Sequence, residues 1–391
     1  MTFFKDFQNV LKQNIREYGM FIALFVIWAV FAVLTDGIFI SSRNISNLLN
    51  QAGYIAVLGV GMTLIIVIRH IDLSVGFLAG FLGAAAAIAM SFWEWPVGIV
   101  IPAILLLGLL LGFIPGFLVA QMKIPAFVAT LAAFLVYRGA ILVVTEGTGT
   151  IIISNDFFNA IGNGFIPDIP GEILPDMHLL TLLIGVIGIA FYIWGELKAR
   201  KTKRAYNFAV LSRSIFGLKI AFVSALIGGM TWVLAGYNGL SWTVVIVLIV
   251  VGTYSFVTTN TVIGRHIYAV GGNPEAAELS GINVKKITYA VFGQMGMLAA
   301  LSGILFASRL QSATTTAGTL FELDAIAAAF VGGVSAAGGV GKVTGAVIGA
   351  LVMASLTSGM NLMGIGISYQ YIVRGGVLAA AVIFDVATRN R

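Results

Sequence analysis

The chain has 391 residues, of which 59% are hydrophobic and only 10% charged; soluble domains carry about 25% charged residues, so a soluble enzyme is excluded and the chain reads as one polytopic membrane domain. Its net charge of +6 lies between apolar runs, which argues against a nucleic-acid surface. Cysteine is absent, removing disulfides and thiolate metal sites, and the three histidines, His70, His178 and His266, are too far apart for a metal-ligand spacing.

Residues 1–17 place Phe3, Phe4, Phe7, Val10, Leu11 and Ile15 on one helical face, with Lys5, Lys12 and Arg16 between them. That pattern predicts an interfacial amphipathic helix. Residues 18–391 then form a single transmembrane domain. The first span, 18–35, is read as retained, because Thr35, Asp36 and Gly37 offer no small-residue cleavage pattern. The next run, 44–68, carries Asn47 and Gln51 near its start, so its first turns are interfacial or line a polar surface. It breaks at Arg69-His70-Ile71-Asp72-Leu73-Ser74-Val75-Gly76, and a second apolar stretch, 77–90, follows at once. Trp93-Glu94-Trp95-Pro96 is an interfacial turn. Spans at 97–120 and 124–145 follow, the second with Arg138 inside it.

Segment 146–177 has no Lys or Arg but carries Glu146, Asp156, Asp168, Glu172 and Asp176, and is an expected extracytoplasmic loop. After a span at 178–195, the segment 196–219 holds Lys198, Arg200, Lys201, Lys203, Arg204, Arg213 and Lys219. The positive-inside rule makes it a cytoplasmic loop. Gly236-Tyr237-Asn238-Gly239 divides 220–264 into two spans, so the polar island 264–286 is also cytoplasmic. A span at 287–308 follows. Glu322 and Asp324 would favour the N-terminus of the next helix. A Gly-rich break holding Gly338 and Gly339 then leads to spans at 343–359 and 369–384. The total is about ten to twelve membrane segments, all helical, with both termini cytoplasmic.

Two interrupted regions, 59–89 and 327–358, sit in opposite halves of the chain. Paired interruptions often mark a repeat whose breaks line a substrate path; close helix packing through small residues gives the same pattern. Ser74 and Gly76 share that ambiguity. Asp72 is either a pathway group or a cap for the helix that starts near Ser74. Arg138 is either a pathway group or a structural pair.

Gly341-Lys342 invites a phosphate-loop reading that fails on spacing, because Ala336 and Val343 stand where a Gly and a Ser or Thr are required. No catalytic grouping appears, so the expectation is a non-enzyme with no cofactor and no metal. Inside the polar island, Asn273 suits an N-cap and Pro274 the first helical position. Glu275 and Glu278 lie near the positive end, and Gly281 suits the left-handed stop. Ala276, Ala277 and Ser280 are small enough for another protein to approach the backbone. An ordinary amphipathic loop helix fits the same residues.

Several stretches, taken in order, resemble the permease subunits of bacterial ABC sugar importers of the ribose and xylose type, most of all the xylose type. They are Arg43-Asn44-Ile45-Ser46-Asn47-Leu48-Leu49, Ile71-Asp72-Leu73-Ser74-Val75-Gly76, Ile124-Pro125-Ala126-Phe127-Val128-Ala129-Thr130-Leu131, Gly271-Gly272-Asn273-Pro274-Glu275-Ala276-Ala277, Leu279-Ser280-Gly281-Ile282 and Glu322-Leu323-Asp324-Ala325-Ile326-Ala327-Ala328. The resemblance spans about residues 42–375. It implies a multi-pass subunit of the bacterial cytoplasmic membrane that moves a monosaccharide by alternating access and hydrolyses nothing itself. Its implied partners are a separate ATP-binding subunit, an extracytoplasmic sugar-binding protein, a second permease copy and membrane lipid. Residues 273–281 would be the coupling helix on the ATPase, and 146–176 a docking surface for the binding protein. Asn47, Gln51 and Asp72 would line the sugar path. The competing expectation is a stand-alone ion-coupled transporter or channel.

Overall fold

A computed structural model describes residues 15–170, 174, 176–208 and 210–389. Residues 1–14 of the expected interfacial helix, and Glu172 of the acidic loop, lie outside the described residues.

Among the described residues nearly all of the regular secondary structure is helical. The first half holds α1 (Ile15–Leu34), α2 (Ser42–Val67), α3 (Val75–Ser91), α4 (Val97–Ala120), α5 (Ala126–Val144), α6 (Asp156–Asn163) and α7 (Leu179–Ala205). The second holds α8 (Arg213–Ala235), α9 (Trp242–Asn260), α10 (Val262–Gly272), α11 (Pro274–Leu279), α12 (Val284–Leu310), α13 (Phe321–Val331), α14 (Val343–Leu362) and α15 (Ile367–Arg389). Nine of these helices are long and apolar enough to cross a bilayer, and the apolar stretches Gly19–Leu34 and Val75–Ser91 are shorter. The side rich in Arg and Lys is taken as cytoplasmic.

Helix ends follow their local chemistry. Ser41, Ser212, Ser241 and Thr261 accept backbone N–H groups at the starts of α2, α8, α9 and α10, as short hydroxyl side chains do at N-caps. Gly239, at φ 78°, turns the chain between α8 and α9. One expectation changes in extent. The basic segment 196–219 is mostly helix, because α7 runs on to Ala205 and α8 starts at Arg213. The good helix formers from Glu196 to Lys201 continue the helix past the point where it leaves the bilayer.

α2 is the buried axis of the bundle, with 89% of its apolar window inside the protein, while the windows of α12 and α14 are each 72% buried. By contrast α7, α8 and α15 are 11% buried and present their side chains outward, where lipid is as apolar as they are. Helix association in lipid depends on close packing and not on apolar burial. At the crossing of α4 and α12, a Cβ added to Gly296 would fall 2.1 Å from Gly108 O and 2.7 Å from Gly112 Cα. Only glycine permits that backbone approach.

Candidate coupling and translocation site

At the cytoplasmic end of α2, the chain turns through Arg69, which sits in the left-handed region at φ 65°. Such a conformation is costly for a side chain with a Cβ and persists only where surrounding contacts hold it. The contacts are present. Arg69 Nε donates to Gly271 O at 2.6 Å and its Nη2 donates to Gly272 O, the last two residues of α10. Gly339 N donates to Val67 O at 2.8 Å. A Cβ on Gly271 would fall 1.9 Å from Val67 O, and one on Gly338 would fall 2.4 Å from Arg69 Cγ. Tyr268 Oη donates to Gly341 O at 2.5 Å, and burial raises its phenol pKa. The two breaks that the sequence places in opposite halves therefore meet at one junction, clamped on α10.

α11 leaves directly from that junction. Asn273 is both the C-cap of α10 and the N-cap of α11, and its Oδ1 accepts from Ala276 N at 3.0 Å. Pro274 occupies the first turn. At the other end Gly281 adopts φ 82°, and Ile282 N donates to Ala277 O at 3.0 Å, closing the helix with a left-handed glycine. Ser280 Oγ turns back onto Ala276 O. Ala277 faces inward at 5% exposure, whereas Glu275, Ala276, Glu278 and Ser280 are exposed. Leu279 stands out at 91% exposure. Sequence reasoning passed over it; the available signal was a large apolar side chain inside a polar island.

The pathway candidates divide between three places. Gly338 and Gly339 belong to the junction. Asp72 and Ser74 lie in the break before α3, and Gly76 in its first turn. Asp72 is 3% exposed, and its Oδ1 accepts from Ser74 N at 2.9 Å and from Ser74 Oγ at 2.6 Å. Gly76 packs against Gly318 O and the Glu322 carboxylate, so the start of α3 meets the start of α13. Arg138 bridges to the same region, with Nη1 donating to Thr315 O at 2.7 Å and the guanidinium 4.9 Å from the Phe77 ring centre.

Asn47 and Gln51 sit elsewhere, one turn apart on α2. Asn47 is exposed and Gln51 half-buried, and neither has a hydrogen-bond partner among the described residues. Tyr54 continues their face and packs on Phe321 and Phe306, with ring centres 4.7 and 5.1 Å away. Beyond it, Asp324 on α13 is ion-paired with Arg374 on α15. Arg374 and Tyr54 were missed by sequence reasoning, although a lone Arg inside the last apolar span was a usable signal.

On the opposite side, the acidic loop is folded down onto the bundle. Ile151 and Ile152 pair antiparallel with Ser312 and Ala313 after α12. Ser308 Oγ donates to Phe158 O at 2.6 Å and accepts from Gly162 N at 2.7 Å. Glu146, Asp156, Asp168 and Asp176 remain exposed. Asp168 caps α7: its carboxylate accepts from Leu180 N, Ile169 N and Leu179 N. Those bonds, led by the one from Leu180, hold its pKa below the usual carboxylate value, with His178 contributing.

The model of the family described as "Branched-chain amino acid transport system / permease component" matches residues 44–165 and 176–382. The chain belongs to this permease family. Among curated relatives, the xylose transport system permease protein XylH of Haemophilus influenzae is 40% identical over 97% of this chain and 98% of its own length. The XylH of Escherichia coli K12 is 39% identical over 98% and 95%. The ribose import permease protein RbsC of Haemophilus influenzae is 36% identical over 94% and 93%. No solved structure matches the chain. This permease is an all-helical, multi-pass membrane protein, and its family places it among transport subunits.

Proposed function

We propose that this permease is the membrane-spanning subunit of an ATP-driven importer for a pentose or related monosaccharide, with xylose the first cargo to test. The full-length likeness to xylose permeases, greater than to the ribose permease, supports the sugar class. The relatives are named for sugars although the family description names amino acids. An unpaired amide face at Asn47 and Gln51 suits neutral, hydroxyl-rich cargo. On this reading the loop at 146–177 receives an extracytoplasmic sugar-binding protein, and a second permease copy completes the path.

The observation that carries the reading is α11: six residues capped at both ends, joined to the ends of α2 and α14 through Arg69 and Tyr268, and tipped by an exposed leucine. A rigid projection wired to the bundle axis transmits displacement; a loose loop would absorb it. The separate ATP-binding subunit would seat Leu279 and Ala276 in a groove, and its closure on ATP would push α11 and shift the junction. Buried Ala277 is a poor probe, since a large residue there would disrupt the permease itself. Leu279→Arg with Ala276→Arg should leave the permease folded, abolish co-purification of the ATPase and stop ATP-dependent xylose uptake in proteoliposomes. ATPase capture at wild-type yield would overturn the assignment.

One observation favours ion-coupled transport as a second reading. Glu322 is 6% exposed, and its Oε2 has no hydrogen-bond partner among the described residues. Sugar uptake by this chain alone, driven by an ion gradient without ATP, would establish that reading and displace the first.

A further inference from the structure

The cytoplasmic ends of α7 and α8 enclose a cleft of about 410 Å³, lined by Arg200, Lys201, Arg204 and Arg213 together with the apolar Leu197 and Phe216. We propose that this cleft is a binding site for the phosphate headgroup of an anionic phospholipid of the inner leaflet.

Depth sets the first constraint. Helices rise 1.5 Å per residue, so Arg200 and Arg213 each stand about 32 Å along their helix from its extracytoplasmic end, near the thickness of the hydrocarbon core of about 30 Å. The four cations therefore sit at headgroup level. Leu197, nearly one turn closer to the bilayer centre, faces the acyl chains. The α7–α8 pair lies at the periphery; its helices pack mainly on each other and reach the bundle through α2. Lipid has direct access.

Charge sets the second. No Asp or Glu occurs from residue 197 to residue 274. The nearest carboxylate, Glu196, is already held by Lys219 at 2.6 Å. Lys198 turns aside onto the Trp194 ring, 5.0 Å from its centre. Among the described residues, Arg200, Lys201, Arg204 and Arg213 have no carboxylate partner.

Arg200 supplies the specific observation. Its guanidinium carbon sits over the Phe216 ring, 4.2 Å from the ring centre, which holds the side chain at the cleft wall. Its Nη1 is shut off from solvent by neighbouring atoms and has no hydrogen-bond partner among the described residues. A buried, charged donor without an acceptor is expensive, and three further cations beside it raise the cost. A phosphodiester in the cleft supplies the missing negative charge, and its oxygens reach that donor once the guanidinium turns toward the cleft. Arg donates to such an oxygen pair in a bidentate geometry that Lys cannot match. A zwitterionic headgroup would bring its own cation into a cleft that already holds four.

The test uses the full-length permease, washed free of co-purified lipid and titrated in detergent with phosphatidylglycerol or phosphatidylcholine, with bound lipid counted by native mass spectrometry. The wild type should retain phosphatidylglycerol in preference to phosphatidylcholine. Arg200→Gln with Arg204→Gln should weaken phosphatidylglycerol binding by about 30-fold, the scale of two interfacial cations. Arg200→Lys, which keeps the charge and loses the fork, should give a smaller loss at unchanged melting temperature. Lys198→Gln with Lys203→Gln removes equal charge outside the cleft and should leave binding close to wild type. Equal weakening by that control would reduce the effect to bulk attraction and overturn the site. Equal retention of phosphatidylcholine, or displacement of phosphatidylglycerol by inorganic phosphate, would also overturn it, the latter by making the occupant a free anion.

Discussion

At the scale of single residues, the outer surface and the cytoplasmic junction depend on different physics. Asp168 is exposed, and its carboxylate is favoured in the charged form chiefly by backbone N–H donors. A carboxyl with a depressed folded pKa stabilises the fold above its unfolded value, about 3.9, and loses that contribution as the pH falls through the lower folded value. The cap on α7 should therefore persist from neutral pH down to about 4 and fail only below it. Asp168→Asn should lose amide protection at Leu179 and Leu180 already at neutral pH, read by hydrogen exchange against the wild type at each pH. Arg69 is the opposite case, with its charge spent on two carbonyls inside a packed turn. If the proposed function holds, Arg69→Gln should lower transport coupling by about 1.4 kcal/mol, a factor of about ten in ATP-driven uptake, while the ATPase still co-purifies. Loss of the ATPase from that variant would make Arg69 part of docking and not of transmission.

At the scale of elements, glycine decides which helices cross closely. The contact of α4 with α12 has backbone against backbone at Gly108, Gly112 and Gly296. Gly296→Val forces those axes apart, and overpacking of this kind costs about 1–3 kcal/mol. Denaturant unfolding in micelles should show that loss. The equivalent change at Gly139 meets open space and should cost little. Equal losses at both sites would mean that β-branching, and not the close approach, sets the penalty.

At the scale of the whole molecule, the two interrupted regions meet at one junction. The end of α2 and the loop before α14 are hydrogen-bonded to each other and to the element that carries α11. The absence of cysteine makes this testable in an unmodified background. A Cβ on Gly341 would lie 3.2 Å from a Val67 methyl, so Val67→Cys with Gly341→Cys can be joined under oxidation. If transport requires the junction to open, oxidation should stop sugar uptake and reductant should restore it. Full uptake in the cross-linked state would show that the junction moves as a rigid block.

Much of this was legible in the sequence for one reason: a bilayer imposes length and hydropathy on every crossing. The spans, the basic and acidic sides and the caps of α11 at Asn273 and Gly281 are written within a few residues of where they act. Local signals also marked Asp72 and Arg138 as unusual, without choosing their roles. What tertiary structure decided is which distant segments touch. Residues 69, 271 and 339 carry no mutual signal along the chain, because hydrogen bonds to backbone carbonyls leave no mark in side-chain type. The exposure of Leu279, the burial of Ala277 and the unsatisfied face of Arg200 likewise depend on what packs beside them. Composition and periodicity determined a helical, multi-pass membrane protein. The close approach permitted at Gly271 and Gly338, with the bonds of Arg69 and Tyr268, brought its two breaks together beneath α11.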